Sequence, residues 1–277
     1  MKQKVLLAAV VLMVATVPVR AQGELHGAVD VTFQTKYIWR GFDVYDDTSG
    51  IQPSVTLDLY GTGFGLSVMG HRANSSGYEN AERWDYTLFY KNALFDGESY
   101  ATQYMLGWVY YNYPDLKASW ADLQEIHAVL SWPKILPVEG LVPTYVLVKL
   151  WPSNSGSLVA SNLDLATDPP SLSDGTPSGF AHIFMLDYGL PIEGLLPDVP
   201  EQILRLHSEV VYNDGVGPAG QDVDHDWSNI VFGIATDFEL AEDVTLTPGV
   251  YHQITMDKSV NDDKDETWFT LGMKYEF

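Results

Sequence analysis

The sequence predicts an all-β fold: a transmembrane, antiparallel, up-and-down β-barrel of about twelve strands that follows an N-terminal signal peptide. Three observations predict it: an apolar leader, a repeated alternation of apolar and polar residues, and connections that alternate between short and long. Alternation with a period of two puts successive side chains on opposite faces of a strand. Short periplasmic turns and long external loops are typical of outer-membrane barrels. A two-sheet sandwich has no reason to keep that strict order.

The N-terminal leader has the parts of a secretory signal peptide. Lys2 and Lys4 precede an apolar run at 5–19, and Val19 and Ala21 occupy the small-residue positions of a cleavage site. The run is shorter than the roughly 20 apolar residues of a membrane-spanning helix. We therefore assign residues 1–21 to a signal peptide and residues 22–277 to one barrel domain in the bacterial outer membrane.

The composition excludes several classes of protein. The 277 residues include 37 acidic and 15 basic side chains, which give a net charge of −22, and no cysteine. Without cysteine there is no disulfide scaffold, no thiolate metal site and no cysteine nucleophile. The acidic charge argues against nucleic acid as a partner, because binding to phosphates needs a basic surface.

Twelve segments carry the alternating pattern, which satisfies the even strand number of bacterial single-chain barrels. We expect strands at residues 24–40, 51–60, 64–72, 82–93, 99–113, 123–133, 142–151, 179–190, 202–213, 228–239, 244–256 and 267–277. Most short connections carry turn residues, as at 61–63 and 96–97, whereas the alternate connections are long and polar. We expect both termini and the short turns on the periplasmic side. The long loops, including 41–50 and 152–178, are then external.

The alternation also assigns the two faces of each strand. In the first strand, an outward set that includes Val29, Phe33, Tyr37 and Trp39 is expected to contact lipid. The inward charged residues form the candidate pore-lining set: Asp30, Lys36, Arg40, Asp58, Arg83, Asp85, Glu125, Lys149, Arg205 and Glu209. Because side chains fill an eight-stranded barrel and a sixteen-stranded barrel is an open pore, twelve strands should leave a narrow passage.

The last strand ends on an aromatic residue. Apolar side chains occupy alternate positions from Phe269 to Phe277, and polar residues such as Lys274 and Glu276 lie between some of them. This ending resembles the terminal assembly signal of bacterial outer-membrane barrels. The resemblance implies two partners, the barrel assembly machinery through Phe277 and the lipid of the outer membrane.

A second resemblance involves the first hairpin. The element Tyr37-Ile38-Trp39-Arg40-Gly41 is followed by an acidic loop and by the strand IQPSVTLDLYG at 51–61. These features resemble bacterial porin-like proteins of the TorF type, and the match covers residues 30–70. The resemblance implies a small outer-membrane barrel with a channel function. It provides no catalytic residues to carry over.

Three functions are open to such a barrel. The first is a channel for passive diffusion of small hydrophilic solutes, without enzymatic activity or cofactor, and this is our prediction. The second is a plugged barrel whose inward charges pair with one another. The third is a lipid hydrolase in which an outward His182 activates Ser208, because a serine needs a neighbouring base to become nucleophilic. The predicted register brings these two within about one residue pair, but a shift of one or two residues separates them.

The acidic loops suggest a second hypothesis, a calcium site. Carboxylates gather at 43–47, 222–226 and 257–266, where oxygen ligands for Ca²⁺ could converge. The stretch at 222–226 lacks the following glycine and the distal glutamate of an EF-hand loop. Solvated loop charge is the simpler interpretation, and we assign no metal site. A ring of acidic loops at the mouth is expected to favour cations over anions.

Overall fold

The computed structural model describes residues 23–153, 178–195, 199, 201–215 and 225–277. Within these ranges twelve antiparallel strands form a closed barrel, in which each strand pairs with the next and β1 pairs with β12. The strands are β1 (His26–Gln34), β2 (Gly50–Asp58), β3 (Phe64–Ala73), β4 (Arg83–Leu94), β5 (Thr102–Asn112), β6 (Leu123–Ser131), β7 (Leu141–Pro152), β8 (Gly179–Glu193), β9 (Glu201–Asp214), β10 (Asp226–Thr236, continued by Phe238–Ala241), β11 (Val244–Thr255) and β12 (Glu266–Glu276). Helical turns occupy Glu79–Ala81, Ala118–Ala121 and Asn261–Asp263. The predicted twelve-stranded all-β fold is confirmed.

Strand β10 is continuous apart from a gap at Asp237. Ala235 pairs with Gly249 and Phe238 pairs with Leu246, so the register against β11 is the same on both sides of the gap. Pro248 lies beside the gap and has no N–H to donate to the ladder. The gap is therefore a local loss of hydrogen bonding within one strand.

The barrel closes along the seam between β1 and β12. Their register runs from Ala28 opposite Glu276 to Gln34 opposite Thr270. Beyond the last strand residue, Phe277 still exchanges two backbone hydrogen bonds with Gly27, at 2.8 and 2.9 Å. A Cβ atom on Gly27 would lie 2.6 Å from the Phe277 ring, so only glycine leaves room for that ring. The C-terminal aromatic residue is thus part of the closing seam.

The outer face of the barrel is apolar. Exposed apolar side chains alternate along β1, β4 and β12: Val29, Phe33, Trp84, Tyr86, Leu88, Phe269, Leu271, Met273 and Tyr275. A closed barrel with an apolar outer band is built to be surrounded by lipid, and it places the protein in the bacterial outer membrane. Among the described residues no helix is both long enough and apolar enough to span a bilayer.

The two ends of the barrel differ in their connections. One end, here called the turn end, carries both termini of the barrel and short turns such as 59–63 and 242–243. The opposite end, here called the loop end, carries longer connections such as 35–49, 113–122 and 256–265. This is the long–short alternation that the sequence predicts, and it defines two halves of the lumen.

The first predicted strand is too long. Strand β1 ends at Gln34, and residues 35–49 turn back into the barrel, where Ile38–Trp39 pairs with Phe42–Asp43. Arg40 and Gly41 form the two-residue loop with φ of 51° and 94°, as a type I′ hairpin turn requires. We call residues Tyr37 to Tyr45 the inner hairpin. The predictions that Tyr37 and Trp39 face lipid and that 41–50 is an external loop are therefore wrong.

Candidate functional site

The inner hairpin crosses the lumen at the loop end and contacts several strands of the wall. Its aromatic residues are enclosed: Tyr45 is 1% exposed and Tyr37 is 4% exposed. Their rings pack together at 5.2 Å between centroids. Burial of their apolar rings favours this enclosed position over an aqueous loop. The hairpin therefore occupies part of the lumen at this level.

Arg83 on β4 is the centre of the wall beneath the hairpin. Its guanidinium carbon lies 4.0 Å from the centre of the Trp39 ring and 4.6 Å from that of Tyr111. Its Nη2 donates to the Tyr37 hydroxyl at 2.8 Å, and its Nε donates to Asp85 Oδ1 at 2.6 Å. The side chain is 3% exposed. Cation–π contacts and ion pairing thus hold two hairpin residues against β4 and β5.

His71 on β3 completes this network. Its Nε2 lies 2.9 Å from Asp85 Oδ2, and its Nδ1 lies 2.7 Å from the Gln52 amide nitrogen. The imidazole stacks on the Tyr37 ring at 4.8 Å between centroids. Asp85 therefore binds His71 and Arg83 at the same time, and both of these side chains contact Tyr37 of the inner hairpin.

A second network holds the tip of the hairpin. Arg40 Nη2 pairs with Glu125 Oε2 on β6, and the same carboxylate accepts from the Tyr111 hydroxyl at 2.6 Å and from His127 Nδ1 at 2.9 Å. Glu125 is buried. Buried charges are tolerated when they are paired and hydrogen-bonded, and removing one partner leaves the other uncompensated. Arg40 and Glu125 therefore depend on each other.

On the opposite wall, polar side chains receive the hairpin tip. Gln253 Nε2 donates to the Gly41 carbonyl at 2.7 Å, and Asn261 Oδ1 accepts from the Asp43 backbone N–H at 2.9 Å. A Cβ atom on Gly41 would lie 2.8 Å from Asn229 Oδ1. Glycine is thus required at this position both for its positive φ and for the close approach to the wall.

The base of the hairpin is held by Lys36. Its ammonium pairs with Asp47, and it donates to Glu266 Oε2 on β12 at 2.5 Å. Burial opposes the charge on Lys36, but the two carboxylates outweigh it and raise the pKa of Lys36. The hydrogen bond from Lys36 lowers the pKa of Asp47. Asp43, Asp47 and Glu266 bring carboxylate oxygens within 4.8 Å of one another, and Lys36 is the cation among them.

One sector of the inner wall is apolar, which the sequence analysis missed. From β5 to β9 the inward side chains of the loop-end half are buried and form one cluster, against which Trp39 of the hairpin packs: Val109, Tyr111, Leu123, Val146, Val148, Leu150, Ala181, Ile183 and Val211. The sequence of β7 does indicate this apolar sector, because apolar residues occupy both of its faces in a nearly continuous run. Such runs indicate a strand that is buried on both sides.

The turn-end half of the lumen is different. Its charged side chains are open to water and paired across or along the wall, as in Lys91 with Asp58 at 2.9 Å and Arg205 with Asp237 at 2.7 Å. The Arg205 side chain is 50% exposed. Exposed pairs of this kind contribute little to stability. They give this half a polar, hydrated wall.

The predicted pore-lining residues occupy three kinds of position. Seven lie on the inward face of strands, namely Asp30, Asp58, Arg83, Asp85, Glu125, Arg205 and Glu209. Lys36 and Arg40 belong to the segment that turns into the lumen after β1. They are therefore in the lumen but are not part of a wall strand. Lys149 faces outward, and its Nζ lies 4.6 Å from the centre of the exposed Phe180 ring. The inward assignment of Lys149 is wrong because Val146, Val148 and Leu150 occupy the inner face of β7.

The outward serine–histidine pair does not form. Ser208 is opposite Leu186, whereas His182 is opposite Tyr212, so the two are four positions apart along β8 and β9. At about 3.4 Å per residue the separation far exceeds a hydrogen bond. His182 Nδ1 instead lies 2.7 Å from the Tyr145 hydroxyl. The register therefore separates this serine–histidine pair too far for the hydrolase that the sequence left open.

Most of the acidic stretch at 222–226 lies outside the described residues.

Comparisons with known proteins support the fold. No protein-family model and no curated protein matches the chain. Among solved structures, the chain is similar to the KdgM porin, with a TM-score of 0.51, 11% identity, and coverage of 90% of this chain and 99% of that one. It is also similar to the NanC porin, with a TM-score of 0.52, 9% identity, and coverage of 89% and 98%. At these identities the similarity shows a shared barrel fold alone.

Proposed function

We propose that the protein is a porin-like channel, without enzymatic activity or cofactor, for passive diffusion of small hydrophilic solutes. The observation that carries the proposal is the contrast inside the barrel. The turn-end half has a hydrated wall of charged residues, and the inner hairpin takes up part of the cross-section at the loop end. A polar wall favours hydrophilic solutes, and a narrow passage limits their size.

The first test is the conductance of single channels in planar bilayers. We compare the refolded wild-type protein with a variant in which a short Gly/Ser linker replaces residues 37–45. Removing the hairpin should raise conductance several-fold, because the cross-section widens. Deletion of the exposed residues 75–77 is the matched control and should leave conductance unchanged.

The same experiment decides between the channel and a plugged barrel, which the inner hairpin makes the second candidate. A plugged barrel would conduct only after the hairpin is removed. A channel conducts before and after. If both proteins are silent although the barrels are correctly folded, the proposed transport function is contradicted.

We infer the orientation and leader of the protein from the loop pattern and the first 21 residues. The turn end should be periplasmic and the loop end external, and cleavage should follow Ala21. A tag inserted near Ser161 should be accessible on intact cells, and the mature chain should begin at Gln22. A protected tag, with surface-exposed controls labelled, would reverse the orientation.

The C-terminal strand supports a role for the assembly machinery and for outer-membrane lipid as partners. Phe277 bonds to Gly27 in the closing seam and ends the outward apolar ridge, whereas Glu276 pairs with Lys274 on the inner face. Phe277→Ala should therefore reduce the yield of heat-modifiable barrel far more than Glu276→Ala. Equal yields would remove the argument. The resemblance of residues 30–70 to TorF-type proteins, which remains an expectation from the sequence, implies a small outer-membrane barrel with a channel function.

A further inference from the structure

Three side chains on the inner wall near the middle of the barrel have no described hydrogen bond or ion pair with the inner hairpin. Asp187 on β8 and His207 on β9 are direct cross-strand partners, and Glu209 follows on the same inward face. His207 Nδ1 lies 2.7 Å from Asp187 Oδ1, and His207 Nε2 lies 4.0 Å from Glu209 Oε2. All three side chains are partly open to water, so a dissolved ion can reach them.

The hydrogen bond to Asp187 determines what His207 offers to the lumen. A carboxylate accepts a hydrogen bond from Nδ1–H, which leaves the lone pair of Nε2 free whenever the ring is neutral. In metal proteins a carboxylate commonly orients a ligating histidine in this way. The sequence pattern alone does not show this arrangement, because it depends on the register between β8 and β9.

The gap between His207 Nε2 and Glu209 has the size of a bridged metal ion. At 4.0 Å the two atoms are too far apart for a hydrogen bond. Bonds from Zn²⁺ to histidine nitrogen and carboxylate oxygen are each about 2.0–2.2 Å long. At a tetrahedral angle such bonds place the two ligand atoms roughly 3.4 Å apart. A small change in the Glu209 side-chain torsions would bring both atoms to that distance, without movement of the strands.

The surrounding charge also favours a cation. In the part of the chain that the structure describes, the ion pairs of Asp187 and Glu209 are made with His207 only. By contrast, Asp58 and Asp237, nearer the turn end, pair with Lys91 and Arg205. Arg40 acts on Glu209 from a distance, but its direct partner is Glu125. Asp187 and Glu209 thus carry negative charge that no lysine or arginine pairs with directly among the described ion pairs.

The imidazole is open on its lumen side only. Gly233 on β10 is the cross-strand partner of His207, and the Tyr251 ring lies 2.5 Å from where a Cβ atom on Gly233 would be, so this ring occupies the space beside the glycine. The His207 side chain is 25% exposed, and that exposed part faces the lumen. Water molecules from the lumen can complete the coordination of a bound ion.

We propose that His207 and Glu209 form a lumenal binding site for a divalent transition-metal ion of the Zn²⁺ class, with Asp187 as the positioning residue. Imidazole nitrogen with carboxylate oxygen suits Zn²⁺, whereas Mg²⁺ and Ca²⁺ prefer oxygen ligands alone. The site requires the folded barrel but not an open passage. It is therefore independent of the transport function proposed above.

The test is a calorimetric titration of Zn²⁺ into the refolded barrel in detergent, with heat-modifiable mobility confirming the fold of each variant. His207→Ala should abolish the specific site. Asp187→Asn should weaken binding by about 10- to 100-fold, as loss of a partner of a ligating histidine does. Asp187→Glu should restore much of that loss. The matched control is His182→Ala on the outer face, which should bind Zn²⁺ as the wild type does.

Several outcomes overturn the proposal. If His207→Ala binds Zn²⁺ like His182→Ala, the site is not there, and His207→Gln provides the same comparison if the alanine variant fails to fold. If excess Mg²⁺ competes equally with Zn²⁺, the imidazole is not a ligand. If Asp187→Asn binds like the wild type, Asp187 does not position His207. Block of single-channel current by Zn²⁺ is a separate readout, and its absence in a silent barrel bears on transport and not on this site.

Discussion

The two halves of the lumen use the same residue types for different purposes. At the loop end, Arg83 and Arg40 are enclosed, and each is bound to a carboxylate and to aromatic rings of the inner hairpin or the wall. At the turn end, Lys91 and Arg205 are open to water and each has a simple carboxylate partner. Burial is the difference. Enclosed charges fix the position of the hairpin, and exposed charges provide a hydrated wall.

The largest expected effect is a loss of stability when one arginine of the loop end is replaced, compared with one arginine of the turn end. Arg83→Met leaves Asp85, whose side chain is 14% exposed, without its arginine partner, and such a loss costs about 3–5 kcal/mol in buried pairs. Arg205→Met breaks an exposed pair worth about 0.2–1 kcal/mol. Urea unfolding of the two variants in lipid vesicles measures both free energies. Equal losses would show that the two halves do not differ as the structure indicates.

A second prediction separates contact with the wall from backbone strain. Gly41 and Gly77 have nearly the same φ, 94° and 98°, but a Cβ atom on Gly41 would meet Asn229 and Val260, whereas one on Gly77 meets nothing within 4 Å. Both alanine variants carry strain of about 1–2 kcal/mol. Only Gly41→Ala should also displace the hairpin tip and raise conductance. A conductance change in Gly77→Ala as large as in Gly41→Ala would remove the role of the wall contact.

A third prediction concerns ion selectivity. Asp187 and Glu209 lie inside the lumen without a lysine or arginine partner among the described ion pairs, so they should favour cations over anions. Asp187→Asn with Glu209→Gln should reduce the cation preference in reversal potentials across a salt gradient. Asp262→Asn with Asp263→Asn, in an exposed loop, is the control.

Salt concentration distinguishes the two sources of that preference. The field of solvated loops reaches about 10 Å at 0.1 M salt and about 3 Å at 1 M. A preference due to the lumen should therefore persist better in molar salt than one due to the loops. If the loop variant reduces the cation preference more than the lumen variant does, the acidic loops determine the selectivity, as the sequence alone predicts.

The smallest expected effect is the response of Asp47 to pH. Its side chain is 70% exposed, and the hydrogen bond from Lys36 lowers its pKa below the ordinary value near 3.9. Because the folded pKa is depressed, the contribution is present above the ordinary pKa and is lost as pH falls through the folded value. The pair should therefore persist from pH 8 to 5. A carboxyl NMR titration measures the midpoint, and Lys36→Met should raise it.

The strand count, the two ends of the barrel and the apolar outer band follow from the sequence because alternation and turn residues are local. The inner hairpin does not follow, since Tyr37 and Trp39 fall on the same alternate positions as the outward Val29 and Phe33 of β1. The two-residue loop Arg40-Gly41 is the local signal that a strand reverses there. Recognising it would have moved Trp39 from the lipid face to the lumen.

Other errors came from strands with two apolar faces. In β7 the alternation cannot say which face is inward, so Lys149 was assigned to the lumen although Val148 and Leu150 occupy it. The pairing of His182 with Ser208 failed because it depended on the register of two neighbouring strands. The sequence of one strand indicates which face each residue occupies. The register, in contrast, depends on how two strands pair, so the sequence of one strand cannot predict it.

The central claim is that Trp39 lies inside the barrel, and nuclear Overhauser contacts in lipid nanodiscs test it most directly. The Trp39 and Tyr111 rings are 5.4 Å apart between centroids, on segments distant in sequence. The structure predicts cross-peaks between the Trp39 indole and the Tyr111 ring, and between Tyr37 and His71. Cross-peaks from Trp39 to lipid acyl chains, with none to Tyr111, would show that the residue faces the membrane and would contradict the inner hairpin.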